Sequence, residues 1–228
     1  GSEMCIRDRE LETQFRQAIE KKNIACESLL LLSEEQVPED AQALILNAPL
    51  SDYSDDDVEK IIRYLEKGGN AVIVPAWTDV ELPNFERILD YYGVSVLNGV
   101  IMEGDSDYYY GQIPYLLFPK VDYDEMTENI TESMVFAPYA QGLLYDESVQ
   151  GISYIPLLET SETAYNKAYD QERLEVETDF KQKEGDREGP FVIALRAEKA
   201  AGDNLVSKGV ILAAELFLSL IHISEPTR

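Results

Sequence analysis

The sequence predicts a three-layer α/β domain, with a parallel sheet of flavodoxin or Rossmann type followed by a β-rich extension in the second half, on three observations. Short continuous apolar runs alternate with amphipathic helices through the first half, the pattern of strands buried on both faces. The helices are closed by Gly68-Gly69 and Gly93, as left-handed stops require. Two further apolar runs, Phe191–Ala197 and Gly209–Ala214, supply core strands after the extension.

Taken in order, Glu10–Asn23 reads as an amphipathic helix with Leu11, Phe15, Ala18 and Ile19 on one face. Ile24–Leu32 follows as a mostly apolar strand, and Ser33–Gln42 as a polar loop carrying Val37-Pro38. Ala43–Asn47 is a short buried strand that stops at Ala48-Pro49. The clearest helix comes next. Ser54 is its cap, Asp55, Asp56 and Asp57 complement the positive end of its dipole, and Val58, Ile61, Ile62 and Leu65 repeat at helical spacing. Asn70–Val74 is a strand ending at Pro75-Ala76-Trp77. A further helix from Pro83 to Tyr92 turns Phe85, Ile88, Leu89 and Tyr92 inward, and Val94–Met102 alternates toward a strand.

Between about 104 and 189 the chain is rich in tyrosine and acid, with short strand-like runs at Tyr115–Pro119, Met134–Tyr139 and Ile152–Glu159. Lys181–Gly189 is a charged loop, and no internal repeat is visible. Residues 10–217 thus form one domain with an irregular extension inserted before its last strands.

The two ends need separate treatment. Gly1–Arg9 and Leu218–Arg228, back-translated, are reverse complements over nearly their whole length, and both resemble a transposon mosaic-end sequencing adapter. They are set aside as scars. Cys5 and His222, the chain's one histidine, fall within them. What is left holds Cys26 and no histidine, and is expected to be a piece of a longer protein.

The net charge is −25. Each scar is charge-balanced, so the excess belongs to the intervening chain. Such a surface repels nucleic acid and anionic lipid and favours cationic partners, although acidity also serves solubility alone. No apolar run is long enough to span a bilayer, so membrane contact is expected only through flanking segments.

Little catalytic chemistry is legible. Activation of a serine or cysteine nucleophile usually needs a histidine, and Cys26 lies within an apolar run where a structural thiol is the ordinary reading. Nucleophile-elbow, Walker and dinucleotide motifs do not occur. No soft-metal ligand set exists without Cys and His, and no cofactor is expected. Asp52, Asp55, Asp56 and Asp57 lack the spacing of a calcium loop, and helix capping explains them. Asp105 and Asp107 precede Tyr108-Tyr109-Tyr110, a run suited to hold a sugar or a partner, or simply to form an edge arm. Asn47, Pro49, Pro75, Ala76 and Trp77 stand at strand C-terminal ends, where α/β sheets bind ligands. Asn129-Ile130-Thr131 fits a glycosylation sequon of little weight.

The run Val37–Val74 carries a resemblance. Val37, Pro38, Asp40, Ala41, Leu44, Ile45, Leu46, Pro49, Ser54, Tyr64, Leu65, Gly68 and Gly69 match the pattern of the extracytoplasmic domain in gliding-motility-type (GldG-like) ABC transporter auxiliary proteins. Phe85–Gly93, Leu157–Ser161, Gly189–Ala194 and Gly209–Phe217 are similar to later segments of that family. Glu128-Asn129-Ile130-Thr131 departs from its His-Pro-Ile-Thr at two of four positions. The resemblance implies a domain related to the class I glutamine amidotransferase-like fold without its catalytic residues. Pro75-Ala76-Trp77 stands where a nucleophile would follow a core strand. It also implies a membrane-anchored protein on the extracytoplasmic face of a bacterial cell, working beside an ABC-2-type permease and ATPase.

Three functions follow as expectations. The first is a non-catalytic scaffold domain of such a transporter. A small-molecule or glycan binding module is the second, and a carboxylate-based hydrolase the third.

Overall fold

In the computed structural model the described residues are 16–17, 19–47, 49, 51–75, 78, 80–130, 134–170, 175–176, 180–202 and 204–214. Two α-helices lie wholly within them, Asp55–Glu66 and Pro83–Tyr91. The strands are β1 (Ala43–Asn47), β2 (Asn70–Val74), β3 (Val94–Val96), β4 (Val100–Met102), β5 (Leu116–Leu117), β6 (Lys120–Val121), β7 (Ala137–Pro138) and β8 (Leu143–Tyr145). They continue as β9 (Ile152–Glu159), β10 (Tyr165–Lys167), β11 (Tyr169–Asp170), β12 (Glu175–Val176), β13 (Arg187–Glu188), β14 (Val192–Ala201) and β15 (Leu205–Leu212).

The main sheet has the order β1-β2-β15-β14-β9-β6. Only β1, β2 and β15 run parallel; β14, β9 and β6 are joined antiparallel. Smaller antiparallel sheets hold the remaining strands. This corrects the expected three-layer parallel α/β fold: the molecule is mostly β, in several mixed and antiparallel sheets.

The reason lies in chain lengths. Between β14 and β15 only Gly202, residue 203 and Asn204 intervene, and a parallel crossover needs a dozen residues or more. The two apolar runs therefore fold back as a hairpin. Asn204 takes the left-handed conformation at its tip, φ 63°. Val94–Met102 is two strands rather than one, broken at Gly99 with φ 116°. A Cβ at Gly99 would stand 2.1 Å from the Lys167 carbonyl oxygen, so glycine is required there. Its halves pair with β8 and β10, outside the main sheet. Ile24–Leu32 is no strand: its last residues enter a 3-10 turn at Leu31–Ser33. The expected helix face of Leu11, Phe15 and Ala18 lies outside the described residues.

The helix Asp55–Glu66 follows its sequence. Ser54 Oγ accepts the Asp57 N–H at 3.2 Å, three aspartates fill the first turn, and Gly68 closes the end with φ 85°. Its buried side, Val58, Ile61 and Leu65, joins Phe85, Ile88, Leu89 and Tyr92 of the second helix over Leu44, Leu46, Ala71, Ile73, Leu195 and Ile211. Both helices thus cover one face of the sheet. The other face, with Leu157, Leu158, Ile193 and Ala194, is covered by Ile101, Leu117, Ala137 and Ala140 of the second-half extension. At the β1–β2–β15 end that face is less covered, and Ile45 is 38% exposed.

Candidate partner-binding surface

The residues singled out at strand ends come together in part. Asn47 is the exposed last residue of β1, in register with Val74 of β2, and buried Pro75 follows directly. Pro49 is half-buried. Ala76 and Trp77 lie outside the described residues. A shallow depression of about 200 Å³ lined by Glu59, Ile62, Arg63 and Arg87 lies on the helices, and it is below the usual size of ligand sites.

Tyr108, Tyr109 and Tyr110 sit apart from that group. They precede β6, at the opposite edge of the main sheet from β1. Asp105 accepts the Asp107 N–H and starts a 3-10 turn, Ser106–Tyr108, that delivers the tyrosines to an edge arm. There Tyr109 bridges Leu117, and Leu117 pairs with Ala137. Three short backbone segments therefore lie side by side. Leu117 and Ala137 point into the core, at 1% and 0% exposure, and alternation turns Phe118 and Phe136 to the other side, whereas Pro138 is buried as well.

The outward side is aromatic. Tyr110 meets Phe118 edge-on at 6.4 Å, and Phe118 meets Phe136 at 5.7 Å. A separate group has Tyr115 stacked on Tyr139 at 4.7 Å and 5.2 Å from Phe180. Tyr110, Tyr139 and Phe180 remain 62%, 51% and 39% exposed. Neighbouring exposed rings of this kind mark interaction surfaces more often than isolated ones do. The tyrosine run was visible in the sequence. Phe118, Phe136, Tyr139 and Phe180 were not singled out, because only long-range pairing brings them beside it.

Two buried polar networks tie segments of the extension to the end of β9 and to β14. Glu103, 2% exposed, follows β4 and accepts the Ser161 N–H at 3.1 Å, the Ser161 hydroxyl at 2.5 Å and the Gly104 N–H at 3.0 Å. Thr160 Oγ1 in turn accepts the Phe191 N–H at 2.9 Å. This joins the Leu157–Ser161 and Gly189–Ala194 segments, a link no local pattern reveals. The Ser161 hydroxyl is 5% exposed as a residue and donates to a carboxylate already served by backbone donors, so it is built as a tie rather than as a nucleophile open to substrate.

Arg196 of β14 makes the second network. It donates to Asp124 at 2.7 Å and to Glu125 at 2.6 Å, with Arg196 and Asp124 each 9% exposed at the side chain. The pair pins the 122–130 segment onto the sheet. Burial raises the carboxyl pKa of Asp122 above its ordinary value, with Lys120 opposing the shift. Burial also raises Glu159, and the nearby Asp122 charge adds to it. Among the described residues no cluster of three His, Cys, Asp or Glu side chains is arranged to hold a metal. No helix among them is long and apolar enough to cross a membrane.

No family model matches the chain, and no curated protein does. Solved structures similar to it include the following two. One is described as the mmIFT52 N-terminal domain, with a TM-score of 0.52 and 16% identity over 77% of this chain and 67% of the other. The second is a putative ThuA-like protein from Bacteroides uniformis ATCC 8492, with a TM-score of 0.46 and 12% identity over 90% of this chain and 74% of the other. At these identities the likeness is one of fold alone, and it is carried by the first.

Proposed function

We propose that this chain is a non-catalytic docking domain, held on the extracytoplasmic face of a bacterial membrane by flanking segments, that assembles with an ABC-2-type permease and ATPase. The transporter setting comes from the sequence resemblance across Val37–Val74 and the later segments. The observation that carries the docking role is the aromatic surface of the extension, with Tyr110 and Tyr139 more than half exposed beside partly covered Phe118, Phe136 and Tyr115. Tyrosine suits such a role because it offers rigid amphipathic area at little entropic cost.

The test is co-purification of the full-length protein with the permease and ATPase from the same locus. Wild type is expected to retain both, and a Tyr110→Ser/Tyr139→Ser variant to lose them while keeping its circular dichroism. Retention by the variant overturns the docking role of this surface. Absence of both partners with wild type overturns the transporter assignment.

A further inference from the structure

We propose that the edge at Tyr109 and Tyr110 takes an extended, cationic peptide segment of a partner protein, with a Lys or Arg side chain over the Tyr110 ring and its backbone alongside Tyr109. This deepens the docking reading and rests on it. Four observations lead there.

The rings are presented for such a contact. Tyr110 is the most exposed ring of the group. Ammonium and guanidinium groups are drawn to the faces of such rings, and more strongly when partly desolvated.

The chain itself already uses this contact at the same place. Lys120 Nζ lies 5.3 Å from the Tyr108 ring centre, and elsewhere Lys199 Nζ lies 4.0 Å from that of Tyr91. Beside Tyr108 the exposed carboxylate of Asp107 stands one residue away. Lys120 already occupies the Tyr108 ring, so a visiting cation finds Tyr110 as the open ring, with the Asp107 counter-charge three residues before it.

The long-range field has the matching sign. A net charge of −25 concentrates cations near the surface and speeds their encounter. The same charge opposes a second copy of this chain as the occupant.

The backbone argues for a peptide over a glycan. Across the Tyr109–Leu117 bridge the ladder bonds are Tyr110 N–H to the Leu116 carbonyl and Phe118 N–H to the Tyr108 carbonyl. Tyr109 is thus the non-hydrogen-bonded member of an antiparallel pair, so its own N–H and C=O point away from Leu117, toward the edge. An added strand uses just those groups.

The experiment uses the whole chain and a fluorescein-labelled (Lys-Thr)4 peptide, followed by anisotropy at fixed ionic strength. Binding of (Lys-Thr)4 but not of (Glu-Thr)4 is expected. Tyr110→Ser is expected to weaken it about three- to five-fold, while Tyr110→Phe stays within two-fold. A Glu59→Gln/Glu86→Gln variant on the helices, which removes two charges away from the rings, is also expected to stay within two-fold. If Tyr110→Ser binds like wild type, the peptide senses only the general field and the proposal falls. If no binding occurs, or if a chitin hexamer binds in a tyrosine-dependent way and the peptide does not, it also falls. Partner co-purification that depends on Tyr110 and Tyr139 without any peptide binding would sink this inference and leave the docking role standing.

Discussion

Asp52 shows how a single side chain acts at a distance from its own element. The helix Pro83–Tyr91 has Leu82 at its cap position and no side-chain cap bond there. Asp52 supplies it instead: Oδ2 accepts the Asn84 N–H at 2.8 Å, and Oδ1 accepts the Phe85 N–H at 2.9 Å and the Tyr53 N–H at 3.0 Å. Asp52→Ala should cost about 1–2 kcal/mol in chemical denaturation, the value of a lost cap, with Asp52→Asn retaining part of it. Arg196 is the harsher case. Arg196→Met leaves Asp124 buried without its cation and should cost about 3–5 kcal/mol; an Arg196→Met/Asp124→Leu double variant should recover much of that loss. Asp122 works the other way. Its folded pKa is raised by burial, so the native state binds the proton more tightly than the unfolded chain and the ionised carboxylate is a net burden. Asp122→Asn should raise the melting temperature at neutral pH, and the gain should vanish as pH falls below the ordinary carboxyl value of 3.8. A gain unchanged at low pH would show that burial of the charge is not its source.

At the scale of elements, local pattern was a good guide where an element is stabilised by its own residues. The helix Asp55–Glu66 begins and ends where its cap and glycines require. Strand identity was a weaker guide, because a strand exists only through its neighbours. Ile24–Leu32 has strand-like composition but no sheet position. Leu29 and Leu31 pack partly against the core, while Leu30 and Leu32 stay 61% and 81% exposed. The contrast is measurable by urea denaturation. Leu32→Ser should change stability by less than about 0.5 kcal/mol. Leu195→Ala, at 0% exposure on the central β14, should cost about 2–5 kcal/mol. A large loss at Leu32 would restore it to the core.

At the scale of the whole molecule, the −25 charge acts on every state of the chain at once. Compaction brings the carboxylates together, so self-repulsion opposes folding and added salt should screen it. The melting temperature should rise between low and moderate sodium chloride; indifference to salt would mean that local pairs such as Lys60–Asp56 at 2.6 Å and Lys167–Asp186 at 2.5 Å already balance the field. The second pair has its own pH signature. Burial works against ionisation of Asp186, but the Lys167 ammonium and the Lys183 N–H outweigh it and lower the carboxyl pKa. That contribution is present above the unfolded pKa and lost as pH falls through the lower folded value.

Sequence alone determined what depends on neighbours along the chain: the periodicity of both helices and the cap of the first, the apolar β1 and β2, the sign of the field and the tyrosine run. Those features arise within a few residues, where periodicity and capping chemistry act directly. Tertiary structure alone decided the rest. It turned two expected parallel strands into the β14–β15 hairpin, split Val94–Met102 between two small sheets, and placed Phe118 and Phe136 beside Tyr110 and Tyr139 against Tyr115. It also set Arg196 against Asp124, 72 positions apart in the chain. Such pairings are chosen by closure lengths and by competition among many similar apolar runs, and no window of sequence contains both partners.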